Sequence, residues 1–119
     1  MNAVESNKNL VQVGKSSTKN LNLDKRIKFI RADVKDYVSV KPAQADLIIA
    51  DPPRNGLGAL CSKMNFSNKM ILISCSLPSF VRDLRSLTEN GWSVKEIKAF
   101  DMFAQTSHLE VVASLEKPA

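Results

Sequence analysis

The segment KMILISCSLPSFVRDLRSLTENG, residues 69–91, decides the fold. Its first part carries the unbroken apolar run Met70-Ile71-Leu72-Ile73, the pattern of a short strand buried on both faces. A helix follows almost at once, over 78–90. Ser76 stands where a cap is needed, Pro78 near the first turn, and Gly91 just past the end. Phe80, Val81, Leu84 and Leu87 are spaced to form one apolar stripe on it. A buried strand running straight into an amphipathic helix is the repeating half-unit of an α/β protein.

The same grammar extends in both directions. Upstream, Asp46 to Ala50 carries a second all-apolar run, Leu47-Ile48-Ile49-Ala50, stopped abruptly by Asp51-Pro52-Pro53-Arg54-Asn55-Gly56. Residues 57–64 read as a short helix. Ile27 to Arg31 alternates apolar and charged residues as a strand does. Residues 7–20 read as a helix with Leu10, Val11 and Val13 on its inner side and Gly14 as its weak point, after an extended start at Ala3-Val4-Glu5. Downstream, Trp92 to Phe100 and Leu109 to Leu115 alternate as strands joined by a loop over 101–107. Strands alternating with helices predict a parallel sheet, and the last two consecutive strands predict an antiparallel pair at its edge. Residues 1–119 therefore read as one domain, or a piece of one.

Composition bounds the function without naming it. The 44% hydrophobic and 24% charged fractions are those of an ordinary globular chain. No apolar run approaches the roughly 20 residues that span a bilayer, and the first residues are polar, which predicts a soluble cytoplasmic protein with no membrane partner. The net charge of +5 suits a polyanion, although scattered lysines equally describe a solvated surface. Two cysteines and one histidine cannot supply the four ligands of a structural zinc site, so no metal is expected. Cys61 and Cys75 lack both CxxC spacing and a secretory context, which argues against a disulfide.

In open α/β sheets ligands bind beyond the carboxyl ends of the strands. Glu5, Asp33, Asp51 and Cys75 all fall at or just past predicted strand ends. Asp51 followed by two prolines holds an acceptor at a fixed angle, or is simply a tight turn. Arg54 cannot stack on a base as an aromatic would, but can meet a phosphate. Cys75 in Ser74-Cys75-Ser76 reads plainly as a small buried hydrophobe. As a nucleophile it needs access and a stabilised thiolate, which the N-terminus of the following helix favours. Glu110, where the chain re-enters a strand, is either a general base in apolar surroundings or an outward edge charge. His108 invites a Cys-His hydrolase reading, yet nothing supplies an oxyanion hole.

Taken together, the segments DPPRNG at 51–56, ISCSLPSFVRDL at 73–84 and GWSVKEIKAFDMFAQTSHLEVVASL at 91–115 resemble the RNA 5-methyluridine methyltransferase family. The last is the most specific: the family pattern Asp-Met-Phe-Pro-x-Thr-x-His-x-Glu is matched apart from Ala104. The spacings of 24 residues from Asp51 to Cys75 and 35 from Cys75 to Glu110 are also similar to the family's. Two departures stand out. Ser76-Leu77 replaces an Asn-Pro after the cysteine, and Ala104 replaces a proline.

The resemblance implies a Rossmann-like class I methyltransferase sheet, truncated before its first strand and glycine-rich turn, with an antiparallel C-terminal pair. That first strand belongs between the strands that start near Ala3 and Asp46. It implies S-adenosylmethionine as cofactor, held by Glu5, Asp33 and Asp51. It implies tRNA or rRNA as partner, with Arg54 as a contact. Cys75 is then the nucleophile that adds to carbon 6 of uracil, and Glu110 the base that takes the carbon-5 proton. A chain without the first strand is expected to be inactive until a missing N-terminal portion or partner chain completes it. The rival expectation is a silent remnant that only binds RNA or a partner. A 5-methylcytosine enzyme also uses a cysteine at this strand end, but the segment at 101–110 argues against it.

Overall fold

The structure is a computed structural model that describes residues 1–101 and 109–118. In chain order it comprises β1 (Asn2–Glu5), α1 (Lys8–Asn20), β2 (Lys28–Arg31), α2 (Val34–Ser39), β3 (Ile48–Ala50), a 3₁₀ helix (Gly58–Lys63), β4 (Lys69–Ser74), α3 (Leu77–Glu89), β5 (Ser93–Asp101) and β6 (Leu109–Glu116). Contacts divide it into two compact units, Met1–Pro42 and Ala43–Ala119.

In the first unit β1 and β2 pair in parallel, from Asn2 opposite Lys28 to Glu5 opposite Arg31. α1 begins where Asn7 Oδ1 accepts the amides of Asn9 at 2.9 Å and Leu10 at 3.2 Å, satisfying donors that a helix start leaves free. Its inner face differs from the sequence reading. Val11 and Thr18 are buried, whereas Leu10 and Val13 are more than half exposed. The buried stripe is narrow because it runs through Gly14: the Phe29 ring of β2 lies where a Cβ on Gly14 would go. The glycine is thus the point of closest packing rather than a weak point. α2, which the sequence reading missed, opens on Asp33, whose Oδ1 accepts from Lys35 N at 2.8 Å.

In the second unit the strand order is β3-β4-β6-β5. β3 and β4 run parallel, while β6 is antiparallel to both β4 and β5. The antiparallel C-terminal pair is present, and its edge is β5. The last strand inserts beside β4, because the hairpin returns β6 into the space that the α3 crossover leaves open. One sheet face carries Met70, Leu72, Val111, Ala113 and Leu115, all buried, and α3 covers it with Phe80 and Leu87. Val81 lies outside this interface, 51% exposed, and Asp83 occupies the buried position instead. The opposite face is open and mixed: Ile49 is 60% and Phe100 46% exposed, and Glu96 and Lys98 pair on it at 3.4 Å. Among the described residues, β1 pairs only with β2 and β3 only with β4.

Candidate active site

Two loops of the second unit converge on the start of α3. The first is the turn between β4 and α3. Ser74 is buried, and its hydroxyl accepts from Ser76 N at 3.2 Å and donates to Ser76 O at 3.0 Å, closing a bracket around the intervening residue. That residue, Cys75, is a free, exposed thiol. It lies two residues before the 13-residue helix α3, whose N-terminal amides favour a nearby negative charge. Ser76 heads the helix through its carbonyl, which takes the Phe80 amide at 3.0 Å. Its hydroxyl makes no cap and bonds Ser79 Oγ at 3.3 Å instead.

The second loop follows β3. Asp51 is exposed immediately past Ala50, and the two prolines stiffen the descent. Gly56 N closes a turn on Pro53 O at 2.8 Å, which leaves Arg54 exposed at the tip. Glu110 approaches from a third direction. It is the second residue of β6, half-buried, with Phe100 of β5 as its ladder partner. The β4–β6 ladder ends at Ser74 opposite Val111, and Cys75 and Glu110 are the residues next to that last pair on their two chains.

The other cysteine is of a different kind. Cys61, in the 3₁₀ helix, is 2% exposed. Burial, reinforced by the Asp83 carboxylate, pushes its thiol up to about 11 from an ordinary value of 9.0. It is a core residue, as the plain reading of a lone cysteine has it, whereas Cys75 is not.

The first unit carries the remaining candidates. Glu5 ends β1 half-buried, and its Oε2 accepts from Asn7 N at 3.1 Å and Ser6 Oγ at 3.4 Å. Asp33 lies two residues past β2 and already spends one oxygen on the cap of α2. Both therefore stand at carboxyl ends of strands, as Asp51 and Cys75 do in the second unit. His108 and Ala104 lie outside the described residues. Among the described residues there is no group of three or more His, Cys, Asp or Glu fit for a metal, and no helix is long and apolar enough to cross a membrane.

The sequence reading missed the polar side chains of α3: Ser79, Arg82 and the buried Asp83. One signal was there to find Asp83. It sits three residues after Phe80 and four before Leu87, an acidic residue at a position of the apolar stripe.

The profile of a family described as tRNA (Uracil-5-)-methyltransferase matches residues 2–118. The chain belongs to that family. Among individual relatives, the chain is 39% identical over 118 residues to an uncharacterized RNA methyltransferase of Thermotoga maritima, with 97% of this chain and 27% of that protein covered. It is 33% identical over 122 residues to the 23S rRNA (uracil(747)-C(5))-methyltransferase of Shewanella loihica, covering 98% of this chain and 31% of the relative. This member of the uracil-5 family thus spans somewhat over a quarter of each relative's length. Solved structures agree on the fold. A precorrin-6y C5,15-methyltransferase of Geobacter metallireducens superimposes with a TM-score of 0.71 at 10% identity, over 98% of this chain and 66% of that one. An S-adenosylmethionine-dependent O-methyltransferase of Thermotoga maritima does so at 0.68 and 12%, over 99% and 50%. The α/β architecture with its antiparallel C-terminal pair is that of the class I methyltransferases.

Proposed function

We propose that this chain is the C-terminal catalytic part of an S-adenosylmethionine-dependent RNA methyltransferase that forms 5-methyluridine in tRNA or rRNA. The carrying observation is Cys75, an exposed thiol at the end of β4 and at the head of α3. Membership of the uracil-5 family and the name of the Shewanella relative support uracil carbon 5 as the target.

The chemistry asks for a nucleophile and a base. Carbon 5 of uracil gains electron density when a thiolate adds to carbon 6, and Cys75 supplies that thiolate. Arg54, exposed at its turn tip, would meet an RNA phosphate. Glu110 then takes the carbon-5 proton, the carbon 5–carbon 6 double bond re-forms, and the bond to Cys75 Sγ breaks, restoring the thiolate. S-adenosylmethionine, when bound, supplies the electrophilic methyl group. Glu5 and Asp33 in the first unit, and Asp51 in the second, are each carboxylate acceptors at strand ends, the chemistry suited to the hydroxyl and amino donors of its nucleoside and the cation of its amino acid. The chain spans 27% and 31% of the two relatives, which supports the reading that further polypeptide is needed for activity.

The test uses a chimera in which this chain replaces the matching part of the Thermotoga maritima relative. RNA carrying 5-fluorouridine forms a stable adduct with it, because fluorine cannot leave as a proton. Cys75→Ala abolishes the adduct and Cys61→Ala does not. An adduct that survives Cys75→Ala overturns the assignment, and no adduct with any variant favours a silent remnant.

A further inference from the structure

Three polar side chains in the first two turns of α3 all reach one loop, residues 51–58. Ser79 Oγ donates to Arg54 O at 2.7 Å, and Arg82 Nη2 donates to Asn55 O. The Asp83 carboxylate accepts from two successive amides, Leu57 N at 2.6 Å on Oδ2 and Gly58 N at 3.1 Å on Oδ1. Four backbone groups of the loop, at residues 54, 55, 57 and 58, are thus held in order by one helix. Asp83 is 1% exposed, so water cannot replace it as an acceptor, and Arg82 Nη2 meets its Oδ1 at 3.1 Å.

Gly56 belongs to the same device. Its φ of +78° is a conformation that side chains resist, and a Cβ there would fall on the Asp83 carboxylate and 2.7 Å from Arg82 Nη2. Hydrogen bonds of three serines also link the two loops: Ser74 Oγ donates to the Ser76 backbone carbonyl, Ser76 Oγ to Ser79 Oγ, and Ser79 Oγ to Arg54 O. The turn that presents Cys75 and the turn that presents Arg54 are therefore fastened to the same end of α3.

We infer that Asp83, with Arg82 and Ser79, is a positioning residue that sets the Asp51–Arg54 loop against Cys75. It acts through the loop backbone. The catalytic consequence rests on the methyltransferase reading; the latch itself is a property of this chain.

Two measurements separate these. On the chain itself, amide hydrogen exchange should accelerate at Leu57 and Gly58 in Asp83→Asn by on the order of 10- to 100-fold, as loss of hydrogen bonds to a charge implies. Ile71 and Val112 in the sheet should not change. Ser79→Ala, milder should Asp83→Asn fail to fold, should loosen the Arg54 turn alone. In the chimera, Asp83→Asn should raise KM for S-adenosylmethionine while alkylation of Cys75 by iodoacetamide keeps its rate. Val94→Ala, a packing change in the same unit, should lower Tm without raising KM. Unchanged exchange at Leu57 and Gly58 overturns the latch, and freed amides with an unaltered KM overturn its positioning role. An inactive unsubstituted chimera sinks the methyltransferase reading instead, and exchange alone then decides the latch.

Discussion

Cys75 and Glu110 are the next residues along two antiparallel strands beyond the pair Ser74 and Val111. They are 35 positions apart in the chain, and the β4–β6 ladder brings their strand ends to the same level. The alternation of β6 turns Val111, Ala113 and Leu115 into the core under α3 and leaves Glu110 on the other face, with Val112 and Ser114.

That relationship makes Glu110 testable apart from Cys75. On the proposed mechanism, Glu110→Gln in the chimera should block only the step after methyl transfer, and methylated RNA should stay bonded to Cys75. Product release should fall by about 10²- to 10⁴-fold, the usual worth of a general base. Denaturing electrophoresis with labelled cofactor and ordinary uridine RNA should show a labelled, slowly migrating protein–RNA band. Normal turnover without that band would assign Glu110 to the surface.

The two thiols of the native chain should differ sharply in reactivity. At pH 8, iodoacetamide should modify Cys75, which is exposed, and spare Cys61, which is 2% exposed and held protonated by burial. Mass spectrometry of tryptic peptides reads the sites directly. Equal labelling of both before unfolding would contradict the burial of Cys61.

Cys61 also ties stability to alkaline pH. Its folded value of about 11 lies above its ordinary 9.0, so between them the unfolded chain has released the proton and the folded chain still holds it. The stability that the buried thiol contributes is whole below pH 9.0 and is lost as pH rises towards about 11. Urea titrations at pH 8 and pH 10.5 should show a larger fall for the unsubstituted chain than for Cys61→Ala. Equal falls would mean that the thiol carries no such linkage.

Gly14→Ala tests the packing of the first unit. Helix propensity alone would make the substitution stabilising by roughly 0.8–1.0 kcal/mol. The Phe29 ring where the new Cβ must go reverses the sign, and overpacking should cost about 1–3 kcal/mol. Chemical denaturation of the two proteins decides it, and a more stable variant would refute the contact.

Most of the fold was legible because its signals are local. The apolar runs 47–50 and 70–73 became β3 and β4, and Pro78 and Gly91 bracket α3 as their fixed and permissive backbones require. The inner faces of the helices were less legible. Periodicity admits Leu10, Val13 and Val81 as readily as Val11 and Phe80, and the choice falls to what lies opposite. A phenyl ring selects Gly14 for the narrow face of α1. Two backbone amides select Asp83 rather than Val81 for α3, because a buried pair of donors needs acceptors more than the interface needs another methyl group.

The sequence by itself determined which groups could do chemistry here: a cysteine at a strand end, a carboxylate before two prolines, a glutamate entering the last strand, and the family their spacing resembles. Residue type and short-range order settle such matters, since strand ends and proline stops are written within a few neighbouring residues. Only the tertiary structure decided that Cys75 is open while Cys61 is sealed, that β6 inserts beside β4 and sets Glu110 at the level of Cys75, and that Asp83 holds the loop behind Arg54. Each of those depends on partners 22 to 47 residues away. Register and burial are properties of the packed chain, and no local stretch of sequence contains them.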